Sequence, residues 1–237
     1  MKIINKGDSG GCNKRIVVGS KAKKPEGMQD FELRLFDTFL DGEKDVASTT
    51  DFDAITVFVK YDQDAEKMRV RGAKARAEFG KEVETLNVLG TNSVCFDFIE
   101  GFLLSNYQFN KYFKDREKRD NKLDSIFVHT SFSDDECEEL LHIDKAVSWA
   151  RTMVNEPVSF LNAEQLAEEI RQFENVTDLN VTVLEKTQIE SLKMGGLLSV
   201  NQGSIDPPTF TIVEHCPENA KNKKPVVLVG KGVVYDT

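Results

Sequence analysis

The side chains best suited to chemistry lie together in residues 226–237. An apolar run over residues 226–229 leads into Gly230, Lys231 and Gly232, and Asp236 follows the lysine by five residues. In open α/β sheets, ligands bind at the carboxyl end of a central strand, and glycines there let the backbone approach a ligand closely. The run therefore offers an amine and a carboxylate as a candidate binding site, although a plain surface turn after a strand has the same pattern.

Other reactive residues have simpler structural explanations. The spacing around Lys231 does not match the phosphate-binding pattern Gly-x-x-x-x-Gly-Lys-Ser/Thr. Acidic residues at 134–139 fit the first turn of a helix, where carboxylates stabilise the helix dipole. No histidine pair has metal-ligand spacing and no two cysteines form a Cys-x-x-Cys pair, so we expect structural histidines and reduced, mostly buried thiols. These residues are His129, His142, His215, Cys12, Cys95, Cys137 and Cys216.

Alternating helices and strands must position the candidate site. Short apolar or alternating runs predict strands over residues 15–18, 54–60, 93–98, 125–128, 179–184, 210–214 and 225–229. Helical spacing of apolar residues predicts helices over residues 65–86, 99–113, 133–154 and 187–193 and a helix capped by Asn162, whereas residues 31–39 fit either element. The alternation implies crossover connections and a largely parallel sheet, so the predicted fold class is α/β.

A long helix marks the predicted boundary between two domains. Ser133 and Glu136 have the spacing of a capping box at its start, and Pro157 disfavours helix beyond its end. A chain of 237 residues is long enough for two domains of ordinary size. We predict an α/β domain over residues 1–132, a connecting helix over residues 133–155 and a second α/β unit over residues 156–237.

The C-terminal run resembles the signature of the leucyl aminopeptidases of the two-metal type, also called cytosol aminopeptidases. Residues 229–237, read as VGKGVVYDT, are similar to the start of that signature. Two upstream stretches agree in the same order, residues 151–168 with their Asn-Glu-Pro segment and residues 194–208 with Met-Gly-Gly and Pro-Pro. A looser similarity covers residues 100–107, read as EGFLLSNY.

The resemblance implies a metal site and an activity. Lys231 would bind one of two divalent ions, Zn²⁺ or Mn²⁺, through its amine, and Asp236 would bridge both. The complete enzyme would release N-terminal amino acids from peptides that have a free N-terminus, by attack of a metal-activated water. The family's remaining ligands and its catalytic residues follow the point that Thr237 matches, so we expect an N-terminal fragment with no catalytic residue of its own, inactive alone.

The resemblance also implies the architecture. It predicts a macro-like α/β domain, the connecting helix and the truncated start of an α/β metallo-aminopeptidase catalytic domain, with a homo-hexamer in the complete enzyme. The runner-up hypothesis is a non-catalytic α/β binding or interaction module derived from the same family. The Met194-Gly-Gly turn is expected to have a packing role, because its side chains cannot do acid–base chemistry.

Charge and composition exclude other classes of function. The net charge is −9, and the densest basic stretch, residues 111–122, is interrupted by three acidic residues, which favours a solvated helix end. We therefore expect no nucleic-acid partner. The chain has neither an N-terminal signal-like apolar stretch nor about 18 apolar residues in a row, so we expect no membrane partner and a cytoplasmic location.

Overall fold

The computed structural model describes residues 1–5, 12–52, 54–90, 95–129, 132–175 and 178–232. The chain divides into two compact units, Met1–Arg151 and Thr152–Thr237. The division falls inside one helix, Asp134–Asn155. The finer division into residues 1–132, 133–155 and 156–237 stays a prediction.

The first unit is built on a six-stranded sheet. Its strands are β1 (Lys2–Asn5), β2 (Lys14–Gly19), β3 (Val46–Asp51), β4 (Ala54–Lys60), β5 (Thr85–Leu89) and β6 (Ser125–His129). The spatial order is β1-β6-β5-β2-β4-β3, and every neighbouring pair is parallel except β3 with β4. The prediction of an α/β fold with a largely parallel sheet is confirmed.

Helices cover both faces of this sheet. The helices of this unit are α1 (Asp30–Asp41), α2 (Ala65–Ala77), α3 (Cys95–Ser105), α4 (Arg116–Arg119) and α5 (Asp134–Asn155). Strand β2 is apolar on both sides, because Ile16 and Val18 face the cluster that contains α2 and α3 while Val17 packs with Phe36 of α1. Burying both faces of central strands is the rule for parallel sheets. The larger core includes Met68, Leu86, Phe98, Phe102 and Ile126.

Several predicted elements match the observed ones. The strands at 15–18, 54–60 and 125–128 are confirmed, and residues 31–39 are helical. The capping box at α5 is confirmed: the Ser133 amide donates to the Glu136 carboxylate at 2.8 Å, and the Glu136 amide donates to the Ser133 hydroxyl at 3.2 Å. Helix α5 buries Cys137 and Leu140, whereas Val154 near its end is 85% exposed.

Other predicted elements in this unit are wrong in extent or type. The helix predicted over residues 65–86 ends at Ala77, because residues 85–89 pair with β2 and β6 as strand β5. The strand predicted over residues 93–98 is contradicted at residues 95–98, which begin α3, and that helix ends at Ser105 instead of residue 113. Strands β1 and β3 were not predicted.

The cysteine prediction holds only in part. Cys12, Cys137 and Cys216 are free thiols, as expected. Cys137 is buried, and this burial raises the pKa of its thiol above the ordinary value. Cys12 is partly buried and Cys216 is exposed, so of these three thiols Cys137 alone is buried.

The second unit contains short elements around a two-stranded sheet. Its elements are α6 (Ala163–Arg171), a 3-10 turn (Gln172–Asn175), β7 (Asn180–Leu184), α7 (Lys186–Ser191), α8 (Gly195–Asn201) and β8 (Phe210–Glu214). Strands β7 and β8 pair antiparallel, which confirms the predicted strands at 179–184 and 210–214. Helix α7 confirms the helix predicted near 187–193. In the described part of the chain, no helix combines the length and apolar composition needed to cross a membrane.

Candidate functional site

The apolar run before Lys231 is not a strand. Residues 225–229 make no strand pairing, and Val226, Val227, Leu228 and Val229 are 73–92% exposed. The predicted strand at 225–229 is therefore wrong for this structure. A strand needs a neighbour to pair its backbone groups, and the sheet described in this unit consists of β7 and β8 paired with each other.

Of the two predicted metal ligands, the structure describes Lys231 but not Asp236. Lys231 is exposed and makes no ion pair with a described residue. Asp236 lies outside the described residues, so its distance from Lys231 is not part of the structure. A Cβ on Gly230 would meet no atom within 4 Å, and one on Gly232 would meet only the Leu166 side chain, at 4.0 Å. Neither glycine is required by packing here, which leaves open backbone on both sides of Lys231.

The two stretches upstream of residues 229–237 that resemble the family, residues 151–168 and 194–208, come together through Asn162. Its side-chain oxygen accepts a hydrogen bond from the Gln165 amide at 2.9 Å, which confirms Asn162 as the cap of α6. Its side-chain nitrogen lies 3.4 Å from the Asp206 carboxylate. The Thr209 hydroxyl donates to the Ala163 carbonyl at 3.1 Å, so the start of α6 is tied to the loop after α8 at two points.

Asp206 is a centre of hydrogen bonding that sequence reasoning missed. The Asn201 side chain donates to the Asp206 carbonyl at 3.0 Å, and the Asp206 amide donates to the Ser204 hydroxyl at 3.1 Å. Buried Pro208 follows two residues later. The position of Asp206 after Gly203-Ser204 and before Pro207 is typical of a turn. This turn pattern is the feature of the sequence from which Asp206 could have been found. The network fixes the Met-Gly-Gly and Pro-Pro segment onto α6.

The turn before α8 is closed by a Schellman motif. The Met194 amide donates to the Ile189 carbonyl at 3.1 Å and the Lys193 amide to the Glu190 carbonyl at 2.9 Å. Lys193 has φ of 54°, in the left-handed region. A Cβ on Gly195 or Gly196 would meet nothing within 4 Å, so the expected packing role is not seen at these two glycines.

The described residues do not by themselves form a metal centre. Within the described ranges, no three His, Cys, Asp or Glu side chains are placed to hold an ion. His129 lies 3.2 Å from the Asn87 side chain through its Nε2 atom, which agrees with a structural role. Of the two expected ligands, only Lys231 falls in the described part. The described residues therefore do not complete a two-metal site.

The C-terminal segment matches a family of known proteins. The model of the cytosol aminopeptidase family, catalytic domain, matches residues 148–237. The probable cytosol aminopeptidase of Chlorobaculum parvum is 51% identical over 88 residues, which cover 37% of this chain and 17% of that protein. The probable cytosol aminopeptidase of Phytoplasma mali is 32% identical over 160 residues, covering 65% of this chain and 32% of that protein. The matches thus span at most about a third of these relatives' length.

Solved structures show the same fold over more of the chain. A tomato leucine aminopeptidase mutant has a TM-score of 0.69 at 15% identity and is matched over 89% of this chain and 50% of that one. The bottromycin maturation enzyme BotP, in complex with Mn, has a TM-score of 0.66 at 20% identity over 87% of this chain and 46% of that one. At such identities the likeness establishes the α/β fold alone.

Proposed function

We propose, from the match of residues 148–237 to the cytosol aminopeptidase family, that the whole protein releases amino acids from the N-termini of peptides. The observation that carries the proposal is the family match, because the matched segment contains both Lys231 and Asp236. The substrates would be peptides with a free N-terminus. The contact between Asn162 and Asp206 supports the proposal, because it joins two of the stretches that resemble the family within one unit.

The proposed site uses Lys231 and Asp236 as ligands of two divalent ions in the whole protein. A carboxylate has two oxygens that can each contact a cation, which suits Asp236 to a bridging position. An amine binds a metal only when deprotonated, so binding at Lys231 would be coupled to loss of a proton. Two such ions supply Lewis-acid chemistry, activating water and polarising the peptide carbonyl. Mn²⁺ and Zn²⁺ are both candidates, and the Mn complex of BotP favours testing Mn²⁺ first.

The open backbone around Lys231 supports this assignment. No described atom lies within 4 Å of a Cβ added at Gly230, so the backbone beside Lys231 is unobstructed there. The exposed run at residues 226–229 is as apolar as a buried central strand requires. We propose that this apolar run is buried in the whole protein. We also propose that the whole protein is cytoplasmic and assembles as a homo-hexamer. We propose that the 237-residue chain alone is inactive, because the resemblance assigns it two metal ligands and no catalytic residue.

The test uses the protein encoded by the complete reading frame. We expect Asp236→Ala to abolish both metal occupancy, measured by elemental analysis, and hydrolysis of a leucine anilide. Lys231→Ala should lower occupancy of one ion and reduce turnover. The matched control is Lys224→Ala, an exposed lysine seven residues earlier that should leave both quantities unchanged. Full turnover by the Asp236→Ala protein would reject the assignment. A wild-type protein that binds no metal and hydrolyses no peptide would favour the non-catalytic binding module.

A further inference from the structure

A basic surface stands out on the first unit of an otherwise acidic chain. Residues 111–122, called the basic loop below, contain six Lys or Arg and three Asp or Glu residues, whereas the whole chain has a net charge of −9. Every residue from 111 to 120 is exposed. Tyr112 and Phe113 are 55% and 49% exposed. Positive charge and aromatic surface are thus presented together.

The basic loop encloses a shallow pocket. Residues 111 and 113–118 line a volume of ≈ 380 Å³. The Arg119 guanidinium lies over the Phe113 ring at 4.2 Å and its Nε atom bonds the Asp115 carboxylate at 2.7 Å. These two contacts join the short helix α4 to the aromatic ring. The pocket is therefore shaped by the loop itself.

Three cations that line the pocket have no ionic partner among the described residues. Lys114, Arg116 and Lys118 form no ion pair with a carboxylate of the described residues, whereas the neighbouring Lys122 pairs with Glu82. Asp115 is already engaged by Arg119. The surface thus has unused positive charge that an anionic partner can neutralise.

The start of α5 carries the complementary charge on the same unit. Asp134, Asp135, Glu138 and Glu139 are exposed and pair with no cation in the part of the chain that the structure describes. Their spacing places residues 134 and 138, and 135 and 139, one helical turn apart, so the four carboxylates form one acidic face. Glu136, which closes the capping box, is not needed for this face.

We propose that the basic loop of one copy binds the acidic face of α5 of a second copy. The two surfaces make no ion pair with each other within one copy, although both belong to the first unit. The second copy is favoured over a nucleic acid, because the loop's own Asp115, Glu117 and Asp120 and the net charge of −9 oppose a polyphosphate. Such a contact is heterologous, because it joins different surfaces of the two copies.

The contact has a defined salt dependence. Ion pairs at an exposed surface are individually weak and are screened at high ionic strength. Self-association through the basic loop should therefore be lost between about 20 mM and 500 mM NaCl, where the screening length falls to about 4 Å. Association through the exposed apolar run at residues 226–229 would respond to salt in the opposite direction or not at all.

Charge reversal tests the proposal by sedimentation velocity of the 237-residue chain at low salt. We expect concentration-dependent association of the wild type, and a shift to the monomer coefficient for Lys114→Glu with Lys118→Glu and, separately, for Glu138→Lys with Glu139→Lys. A mixture of the two reversed proteins should associate again, as should one chain that carries all four changes. A wild type that is monomeric at low salt, or reversed proteins that associate as the wild type does, overturns the proposal.

Matched controls separate this contact from net charge and from other ligands. Lys221→Glu with Lys223→Glu makes the same charge change at two exposed lysines of the second unit and should leave association unchanged. Circular dichroism establishes that each variant is folded. Restoration by the mixture cannot arise from misfolding, since each protein alone would remain monomeric.

A fluorescent oligothymidylate tests nucleic acid as the other candidate partner. If the wild type does not self-associate but binds this probe, and Lys114→Glu with Lys118→Glu abolishes the binding, the partner of the basic loop is single-stranded nucleic acid and not a second copy.

Discussion

Gly72 of α2 and Gly101 of α3 lie where the backbones of these two helices touch. A Cβ on Gly72 would lie 2.1 Å from the Phe98 carbonyl oxygen, and a Cβ on Gly101 would lie 2.1 Å from the Arg69 carbonyl oxygen. Backbone atoms cannot move aside as the end of a flexible side chain can. The two glycines therefore set how closely α2 approaches α3 above the sheet.

Gly101→Ala is expected to destabilise the first unit strongly. Alanine gains about 1 kcal/mol in helix propensity, but separating two packed helices should cost about 3 kcal/mol or more. Urea unfolding followed by circular dichroism measures the difference. The matched control is Gly80→Ala, where an added Cβ meets nothing within 4 Å and the change should stay within about 1 kcal/mol. Equal stability of the Gly101→Ala and wild-type proteins would contradict the close approach.

This helix contact shows what the sequence alone supports and what it does not. The apolar stripe of α2, which includes Met68 and Ala75, predicts a helix packed on the sheet, and both residues are buried. Gly72 lies in the same stripe, but a glycine has no apolar side chain to register in such a pattern. The extension of that helix to residue 86 failed because Val83 and Leu86 continue the spacing by chance, while strand pairing decides the structure of residues 85–89.

The sequence predicted the chemical groups of the candidate site but not their positions. Lys231 and its two glycines were found from their spacing after an apolar run, and the family match covers them. Their placement was not predictable, because the run at residues 226–229 forms a strand only where another strand is available to pair with it. Asp206 was missed because its role depends on Asn162 and Asn201, which are 44 and 5 residues away in the chain.

The Asn162 cap should control the local stability of α6. Replacing it with Ala removes the acceptor for the Gln165 amide and the contact with Asp206, at an expected cost of about 1 kcal/mol. Native-state hydrogen exchange of the α6 amides reports this loss directly. Asn162→Ser keeps a capping oxygen but cannot reach as far, so it should recover most of the protection. If the Ala variant protected these amides as well as Asn does, the cap would be unimportant.

Lys193→Gly is expected to stabilise the second unit. Lys193 closes the Schellman motif with φ of 54°, a conformation that costs a residue with a Cβ about 1 kcal/mol and costs glycine little. Thermal unfolding should therefore shift upward. The same substitution at Lys186, the first residue of α7, should shift it downward by a smaller free energy, because glycine is disfavoured in a helix. Opposite signs at these two lysines are the diagnostic result.

Asp144 on α5 makes the stability of the first unit depend on pH. Its partial burial raises the pKa of the carboxyl, an effect only partly opposed by the N-terminal amine, Arg151 and Lys145. Because the folded-state pKa exceeds the unfolded one, the stability contributed by the protonated carboxyl is complete below the unfolded value and is lost as pH rises through the folded value. Asp144→Asn should thus raise the free energy of unfolding at pH 7 by about 0.5 kcal/mol, a gain that shrinks toward pH 4. Urea titrations at both pH values measure it, with Glu218→Gln at an exposed position as the control. A less stable Asn variant at pH 7 would mean that attraction to Arg151 and the amine outweighs the cost of burial.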